Sequence, residues 1–137
     1  MPIAGLATRF MPLSRACPKE LLPLADKPLI QYAVEEAKNS GVKEIIFVLR
    51  PDNKKVLDYL APFPELENEL KERKKEEILQ ELEKLKKVLD GLTFSYVYQK
   101  KPLGDGHAIL QAAKYAKTDP VACMFADDMF FSEAPVL

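Results

Sequence analysis

The sequence predicts a doubly wound α/β fold, in which helices cover both faces of a mostly parallel sheet. Two apolar runs, 43–49 and 120–126, are typical of strands that are buried on both faces. Amphipathic segments stand between such runs, in the order strand, helix, strand. Crossovers of this kind place successive strands side by side and parallel. We therefore expect four strands, with the other two at 1–4 and 92–99.

Composition limits the class of protein. The 137 residues suit one modest domain, and a hydrophobic content of 47% is enough for a core. The 20 basic and 21 acidic side chains nearly cancel, so neither nucleic acid nor an anionic membrane is an expected partner. Cys17 and Cys123 form no disulfide or zinc pattern. No apolar run reaches the roughly 18 residues of a membrane span, and no signal peptide is evident, so a cytoplasmic location is expected.

The first predicted helix covers 26–41. Leu29, Ala33 and Ala37 recur on one face of this segment, and charged residues lie outside that stripe. Gly41 is a typical C-terminal stop. Together with the first strand and the strand at 43–49, this helix completes one strand–helix–strand unit.

A charged helical excursion is predicted at about 65–90, after a short helix at 52–61. Helix formers dominate this segment, and no Gly or Pro interrupts it after residue 65. Its apolar positions step by four, three and four, at Ile78, Leu82, Leu85 and Leu89. An outlying helix or helical pair with one packed face is favoured over a partner-binding coiled coil, because the seam is too short for the latter.

Three informative stretches come directly after predicted strands, at 5–20, 99–107 and 127–128. In open parallel sheets, ligands bind beyond the carboxyl ends of the strands. The convergence of these stretches at one edge therefore predicts a single binding site, which the helix starting near Gly104 would border.

The residue types in the first stretch point to an anion. Small residues around Gly5 allow backbone N–H groups to approach a phosphate, although a plain tight turn also fits. Lys19 stands between two prolines on a stiff segment, either as a point charge for phosphate or as a solvated loop residue paired with Glu20. Asp127 and Asp128 suit Mg²⁺, or a turn cap.

The only histidine, His107, stands at the start of the last predicted helix. A general base is one interpretation of this position. Hydrogen bonding within its own helical turn is favoured over that role. Asp105, which would repel a phosphate, is expected to cap the helix or to point outward.

Three segments carry a resemblance to a known family: "AGLATRFMPLSRACPKELLPLADKPLIQYAVEEA", "QKKPLGDGHAIL" and "FADD". They resemble the bacterial and archaeal UTP–glucose-1-phosphate uridylyltransferases, or UDP-glucose pyrophosphorylases. The resemblance covers nearly the whole chain. It implies a Rossmann-like, nucleotide-diphospho-sugar transferase type of sheet, which is incomplete here.

The resemblance also implies roles for individual residues. A glucose 1-phosphate oxygen would attack the α-phosphorus of UTP, giving UDP-glucose and pyrophosphate. Positioning and charge neutralisation carry such a reaction. The implied catalytic residues are Arg9 and Lys19, facing the triphosphate, and Asp127 is the implied Mg²⁺ ligand. The implied nucleotide contacts are Ala4, Gly5, Glu20, Gln99 and Gly104.

Two departures from the family pattern bear most on function. Ala7 replaces a second glycine, which would cost about 1 kcal/mol or more if that turn needs a positive φ. Members of the family are also about twice as long, so we interpret residues 1–137 as the N-terminal, nucleotide-binding part of the transferase domain. We expect a fragment that lacks the sugar-phosphate half and the homo-oligomer contacts of the family, binds UTP weakly at most and does not turn over alone.

Two alternatives remain open from the sequence. One is a related pyrophosphorylase that uses another nucleotide or sugar phosphate. Glu20 favours the uridine branch, because thymidylyltransferase relatives usually carry glutamine there. The other alternative is a non-catalytic nucleotide-binding module that uses the helices at 65–90 as an interaction surface.

Overall fold

The computed structural model describes residues 1–116, 120–130 and 132–137. The strands are β1 Pro23–Leu24, β2 Lys27–Pro28, β3 Glu44–Leu49 and β4 Thr93–Tyr98. The helices are α1 Leu29–Asn39, α2 Lys55–Leu60, α3 Pro64–Glu72, α4 Glu76–Leu89 and α5 Asp105–Gln111. None of the helices among these residues is long and apolar enough to cross a bilayer.

The parallel sheet is centred on β3. It pairs with β4 in parallel, from Glu44 opposite Thr93 to Leu49 opposite Tyr98. On its other side the chain start runs parallel to it through a bridge between Pro2 and Val48. Three of the four predicted strand segments therefore lie side by side, although the first forms a bridge rather than a full strand.

Helices cover both faces of this sheet, as predicted. Alternate β3 side chains point to opposite faces. Ile45, Phe47 and Leu49 are buried in the main core, which includes apolar residues of α1 and α2. Val48 points the other way and packs with Val97 of β4 and with residues of the α5 side. The doubly wound α/β class is therefore confirmed.

The predicted strand at 120–126 is wrong, since the structure assigns no strand to those residues. Met124 and Ala126 are nevertheless buried in the main core. An open groove of about 410 Å³ lies between Met1–Pro2 and residues 121–124. No hydrogen-bonded ladder joins these two segments, and Val121 is 62% exposed.

The charged excursion folds as the predicted helical pair, α3 and α4. Its seam is only partly buried: Leu85 is 8% exposed and packs inward, whereas Ile78 is 48% exposed. Val88 and Leu89 also pack against the main core. The pair is therefore attached to the domain by the C-terminal half of α4.

The first helix is shorter than predicted at its N-terminus. It begins at Leu29, because the preceding residues form the β1–β2 hairpin, which was not predicted. The hairpin turn is Ala25–Asp26, with Ala25 at φ +55°. At the C-terminus of α1, Gly41 adopts φ +85°, and the N–H of Val42 donates to the Ala37 carbonyl. This is the predicted glycine stop.

Candidate functional site

The chain start delivers a loop to the carboxyl edge of the sheet. The N–H of Ile3 donates to the Val48 carbonyl over 2.9 Å, and the N–H of Val48 donates to the Met1 carbonyl over 3.0 Å. These bonds hold the segment beside β3, so that Gly5 leaves the sheet where β3 ends at Leu49. The predicted position of this loop is thereby confirmed.

Ala7 adopts the left-handed conformation within the loop, at φ +47° and ψ +44°. It precedes a turn of 3-10 helix, Thr8–Phe10, and its carbonyl accepts the N–H of Phe10 over 3.0 Å. A Cβ atom is strained in this region by about 1–2 kcal/mol. Because the turn uses a positive φ, alanine in place of the family's glycine carries the expected conformational cost.

A polar hollow of about 110 Å³ lies between this loop and the segment after β3. Four cationic side chains line it, which are Arg15, Lys19, Arg50 and Lys55. They outnumber the two acidic ones, Glu20 and Asp52. Arg50 and Asp52 pair in a two-pronged contact, with N–O distances of 3.0 and 3.1 Å. The hollow therefore combines small-residue backbone with excess positive charge, which is suited to an anion.

Lys19 and Asp127 meet at this edge. Their Nζ and Oδ2 atoms are 2.8 Å apart, and the Asp127 side chain is half-exposed. Lys19 stands in a 3-10 turn, Lys19–Leu21, that comes after Pro18. The predicted convergence of the first and third stretches is thus confirmed as a direct contact.

Glu20 is the most buried of the predicted site residues with a charged side chain, at 3% exposure. Its Oε1 atom has no hydrogen-bond partner among the described residues. Burial raises the pKa of the Glu20 carboxyl, and the negative charge of Asp127 raises it further. The backbone N–H of Glu20 and the positive charges of Lys19 and Arg50 oppose this increase. A buried acceptor without a donor is costly, so this carboxyl is suited to a ligand that brings a donor.

Gln99 and Gly104 form a second part of the edge. Gln99 comes directly after β4, is 4% exposed, and its N–H donates to the Leu49 carbonyl over 2.8 Å. Its side-chain nitrogen donates to the Gly104 carbonyl over 3.0 Å. Gly104 is at φ +92° and begins α5, and the Asp105 side chain is exposed, as expected.

Two predicted residues are placed differently from the others. The Ala4 side chain is buried with Val48, Val97 and Ala108, so only its backbone is on the site edge. Arg9 is exposed and, within the described part of the chain, is not among the residues lining the hollow. Its role toward a triphosphate stays a prediction.

Four further residues of the hollow, all located after β3, were not predicted. They are Arg50, Asp52, Asn53 and Lys55, and the Lys55 ammonium donates to the Ala16 carbonyl. Their position is a usable signal, because they stand beyond a strand of the same parallel sheet as the three predicted stretches. Residue type gives no such signal, since the segment has no glycine-rich turn and no paired carboxylates.

A metal would depend on Asp127. Among residues 1–116, 120–130 and 132–137, no three acidic, histidine or cysteine side chains cluster to hold an ion. Asp127 faces Lys19, whereas Asp128 lines a separate hollow beside α1 with Tyr32 and Glu36. An exposed carboxylate suits Mg²⁺, which often takes one or two carboxylates and completes its shell with phosphate oxygens and water. The chemistry of Asp127 therefore fits a nucleotide-bound Mg²⁺.

Comparisons with known proteins find similar sequences and similar structures. Residues 3–136 match the family described as Nucleotidyl transferase. The chain is 42% identical, over all of its 137 residues, to the UTP–glucose-1-phosphate uridylyltransferase YngB of Bacillus subtilis, of which it covers 45%. A crystal structure of an apo UDP-glucose pyrophosphorylase superposes with a TM-score of 0.86 at 38% identity, over 98% of this chain and 48% of that one.

A third match is a UTP-bound enzyme of the same description from Acinetobacter baumannii. It has a TM-score of 0.78 at 36% identity, over 86% of this chain and 41% of that chain. The chain thus spans less than half the length of the relatives that it matches.

Proposed function

This chain belongs to the nucleotidyl transferase family, and on that premise we propose that it forms the nucleotide-binding part of a UTP–glucose-1-phosphate uridylyltransferase. In the proposed reaction, a phosphate oxygen of glucose 1-phosphate forms a bond to the α-phosphorus of UTP. The bond between the α-phosphorus and its bridging oxygen breaks, and pyrophosphate leaves with UDP-glucose as the other product. The names of the full-length relatives support this choice of substrates.

The observation that carries the proposal is the contact between Lys19 and Asp127 beside the cationic hollow. In this type of transfer the protein has little covalent work to do, so charge and position are decisive. Lys19 would turn from the Asp127 carboxylate to the phosphates, and the loop at Gly5 and Ala7 would supply backbone donors. Arg9 would reach the triphosphate from the same loop.

The base would lie against the second part of the edge. Uracil offers one N–H donor flanked by two carbonyl acceptors. Gln99 and the Gly104 backbone lie together at the end of β4, and Glu20 supplies a buried carboxyl nearby in the hollow. We assign these residues, with the backbone of Ala4 and Gly5, to contacts with uridine.

Mg²⁺ would be held by Asp127 and by phosphate oxygens of UTP. When bound, it supplies neutralisation of the charge that develops on the transferring phosphates. Asp127 and Lys19 are in contact, and in this proposal both charges would lie beside the α-phosphate. The two free cysteines agree with a reducing compartment, and we place the reaction in the cytoplasm.

Calorimetry with UTP and Mg²⁺ tests the proposal on the 137-residue chain. Lys19→Ala should weaken UTP binding about tenfold, the scale of one charge-assisted contact. Gln99→Ala should mainly change the preference for the base. Lys84→Ala is the matched control, because Lys84 pairs with Glu81 on the exposed face of α4, away from the hollow.

Three outcomes would contradict parts of this proposal. Unchanged UTP binding in both Lys19→Ala and Gln99→Ala would remove the site assignment. Release of pyrophosphate by the purified chain, with glucose 1-phosphate and UTP, would refute the expectation that it does not turn over alone. Tighter binding of another nucleoside triphosphate would favour a sister enzyme.

A further inference from the structure

We propose that His107 is a positioning residue, which orients the Gln99 amide so that its Oε1 atom faces the base of a bound nucleotide. The inference rests on the proposed function, because it takes Gln99 as a contact to the base. It assigns His107 a task in choosing between pyrimidines, and not in the transfer step.

The orientation of the Gln99 amide depends on its first partner. The side-chain nitrogen of Gln99 is 3.0 Å from the Gly104 carbonyl oxygen. A carbonyl oxygen can only accept, so the amide atom that faces it must be the nitrogen. One of the two amide hydrogens is therefore committed to Gly104.

The second amide hydrogen is directed at His107. Nδ1 of its ring lies 2.9 Å from the same Gln99 nitrogen. This contact is attractive only if Nδ1 is unprotonated and accepts. A neutral ring then carries its proton on Nε2, and His107 acts as a fixed acceptor at the start of α5.

Gln111 does not decide the position of this proton. Its side-chain nitrogen is 3.2 Å from the His107 Nε2 atom and also 3.2 Å from the His107 carbonyl. The carbonyl requires a donor, whereas a protonated Nε2 requires an acceptor, so one amide atom satisfies only one of them. The Gln99 side, where the Gly104 carbonyl permits a single orientation, therefore sets the tautomer.

With this orientation, the Gln99 amide can only accept a hydrogen bond from a ligand. With both hydrogens engaged, Oε1 is the atom of the Gln99 amide that is left to bind a ligand. Oε1 of Gln99 is not one of the buried atoms without a hydrogen-bond partner among the described residues. The backbone bond from Gln99 to Leu49 prevents the residue from moving away. An acceptor at this place complements the N3–H of uracil or thymine, whereas N3 of cytosine is itself an acceptor and is repelled.

The test compares UTP with CTP on the full 137-residue chain. His107→Leu removes the ring acceptor, and should reduce the ratio of UTP to CTP affinity about fivefold, as expected for loss of one hydrogen bond. His107→Asn is the matched variant, because its Oδ1 can accept from Gln99 at nearly the Nδ1 position. It should keep most of the preference. Calorimetry gives both affinities.

A second measurement does not depend on nucleotide binding or on any variant. Nitrogen-15 NMR of the imidazole in the unmodified chain reports which ring nitrogen carries the proton. The expected result is a protonated Nε2 and a bare Nδ1. A proton on Nδ1, or an unchanged UTP-to-CTP ratio in folded His107→Leu, overturns the inference. An Nε2 proton in a chain that binds no UTP supports the amide orientation and rejects the proposed function instead.

Discussion

Lys19 and Asp127 are 108 residues apart in the sequence and form an ion pair with 2.8 Å between Nζ and Oδ2. The pair joins the N-terminal loop to the segment after residues 120–126, across one edge of the sheet. Being partly exposed, it adds at most about 1 kcal/mol to stability. Its interest is functional, because it places one positive and one negative charge where the proposed triphosphate and Mg²⁺ would meet.

Asp127→Asn separates the two roles of this carboxylate. With Mg²⁺ present, the substitution removes a hard ligand, so the enhancement of UTP affinity by Mg²⁺ should shrink about fivefold to tenfold. In EDTA, the same substitution should tighten UTP binding, because a negative charge near the phosphates is gone. Calorimetry under the two conditions measures both effects.

Asp128→Asn provides the control for that experiment. It makes the same charge change one residue away, but Asp128 lines the hollow beside α1 and not the cationic one. It should leave the Mg²⁺ enhancement intact. Equal effects of the two substitutions would show that Asp127 has no special place in metal binding.

Ala7→Gly should stabilise the chain, since φ +47° is strained for alanine. The strain energy relieved in the folded chain exceeds the entropic cost of the more flexible glycine in the unfolded chain. We therefore expect a net gain of about 0.5–1 kcal/mol in the free energy of unfolding. Urea denaturation measures it. Ala25→Gly in the hairpin, at φ +55°, should give a similar gain without altering UTP binding. A loss of stability in Ala7→Gly would mean that the turn is not left-handed.

Glu20 makes stability depend on pH. Burial raises the pKa of its carboxyl above the ordinary 4.5, so the folded chain binds this proton more tightly than the unfolded chain does. The contribution of Glu20 to stability is therefore fully present below the ordinary value and is lost as pH rises through the raised pKa, by at most about 1.4 kcal/mol per pH unit. Urea midpoints between pH 4 and 8 should show a flatter profile for Glu20→Gln. Parallel profiles would exclude this carboxyl as their source.

Leu85→Ala tests how the charged helices are attached. Leu85 is 8% exposed, and its truncation should destabilise the chain by about 2–4 kcal/mol. Ile78→Ala, at the 48% exposed end of the same seam, should cost less than about 1 kcal/mol. Chemical denaturation of the two variants measures the difference. A larger effect at Ile78 would contradict attachment through the C-terminal half of α4.

Much of the site could be predicted because its residues stand just after apolar segments of the chain. Gln99 and Asp127 directly follow segments with a clear apolar pattern, and Lys19 lies in the loop that follows another such segment. Arg50 and Lys55 obey the same rule but were not predicted. The hairpin was not predicted either, because its turn, Ala25–Asp26, contains no glycine or asparagine, the residues that normally indicate a two-residue hairpin turn.

The sequence by itself determined the fold class, the parallel direction of the sheet and several of the residues at the site edge, because hydrophobic periodicity and turn residues are local properties of the chain. Only the tertiary structure decided three other matters. It left residues 120–126 without a strand partner, with Met124 and Ala126 buried, and it buried Glu20 without a donor for Oε1 among the described residues. It also brought His107 to Gln99. These outcomes depend on which surfaces meet across the domain, and the spacing of residues along the chain does not encode such distances.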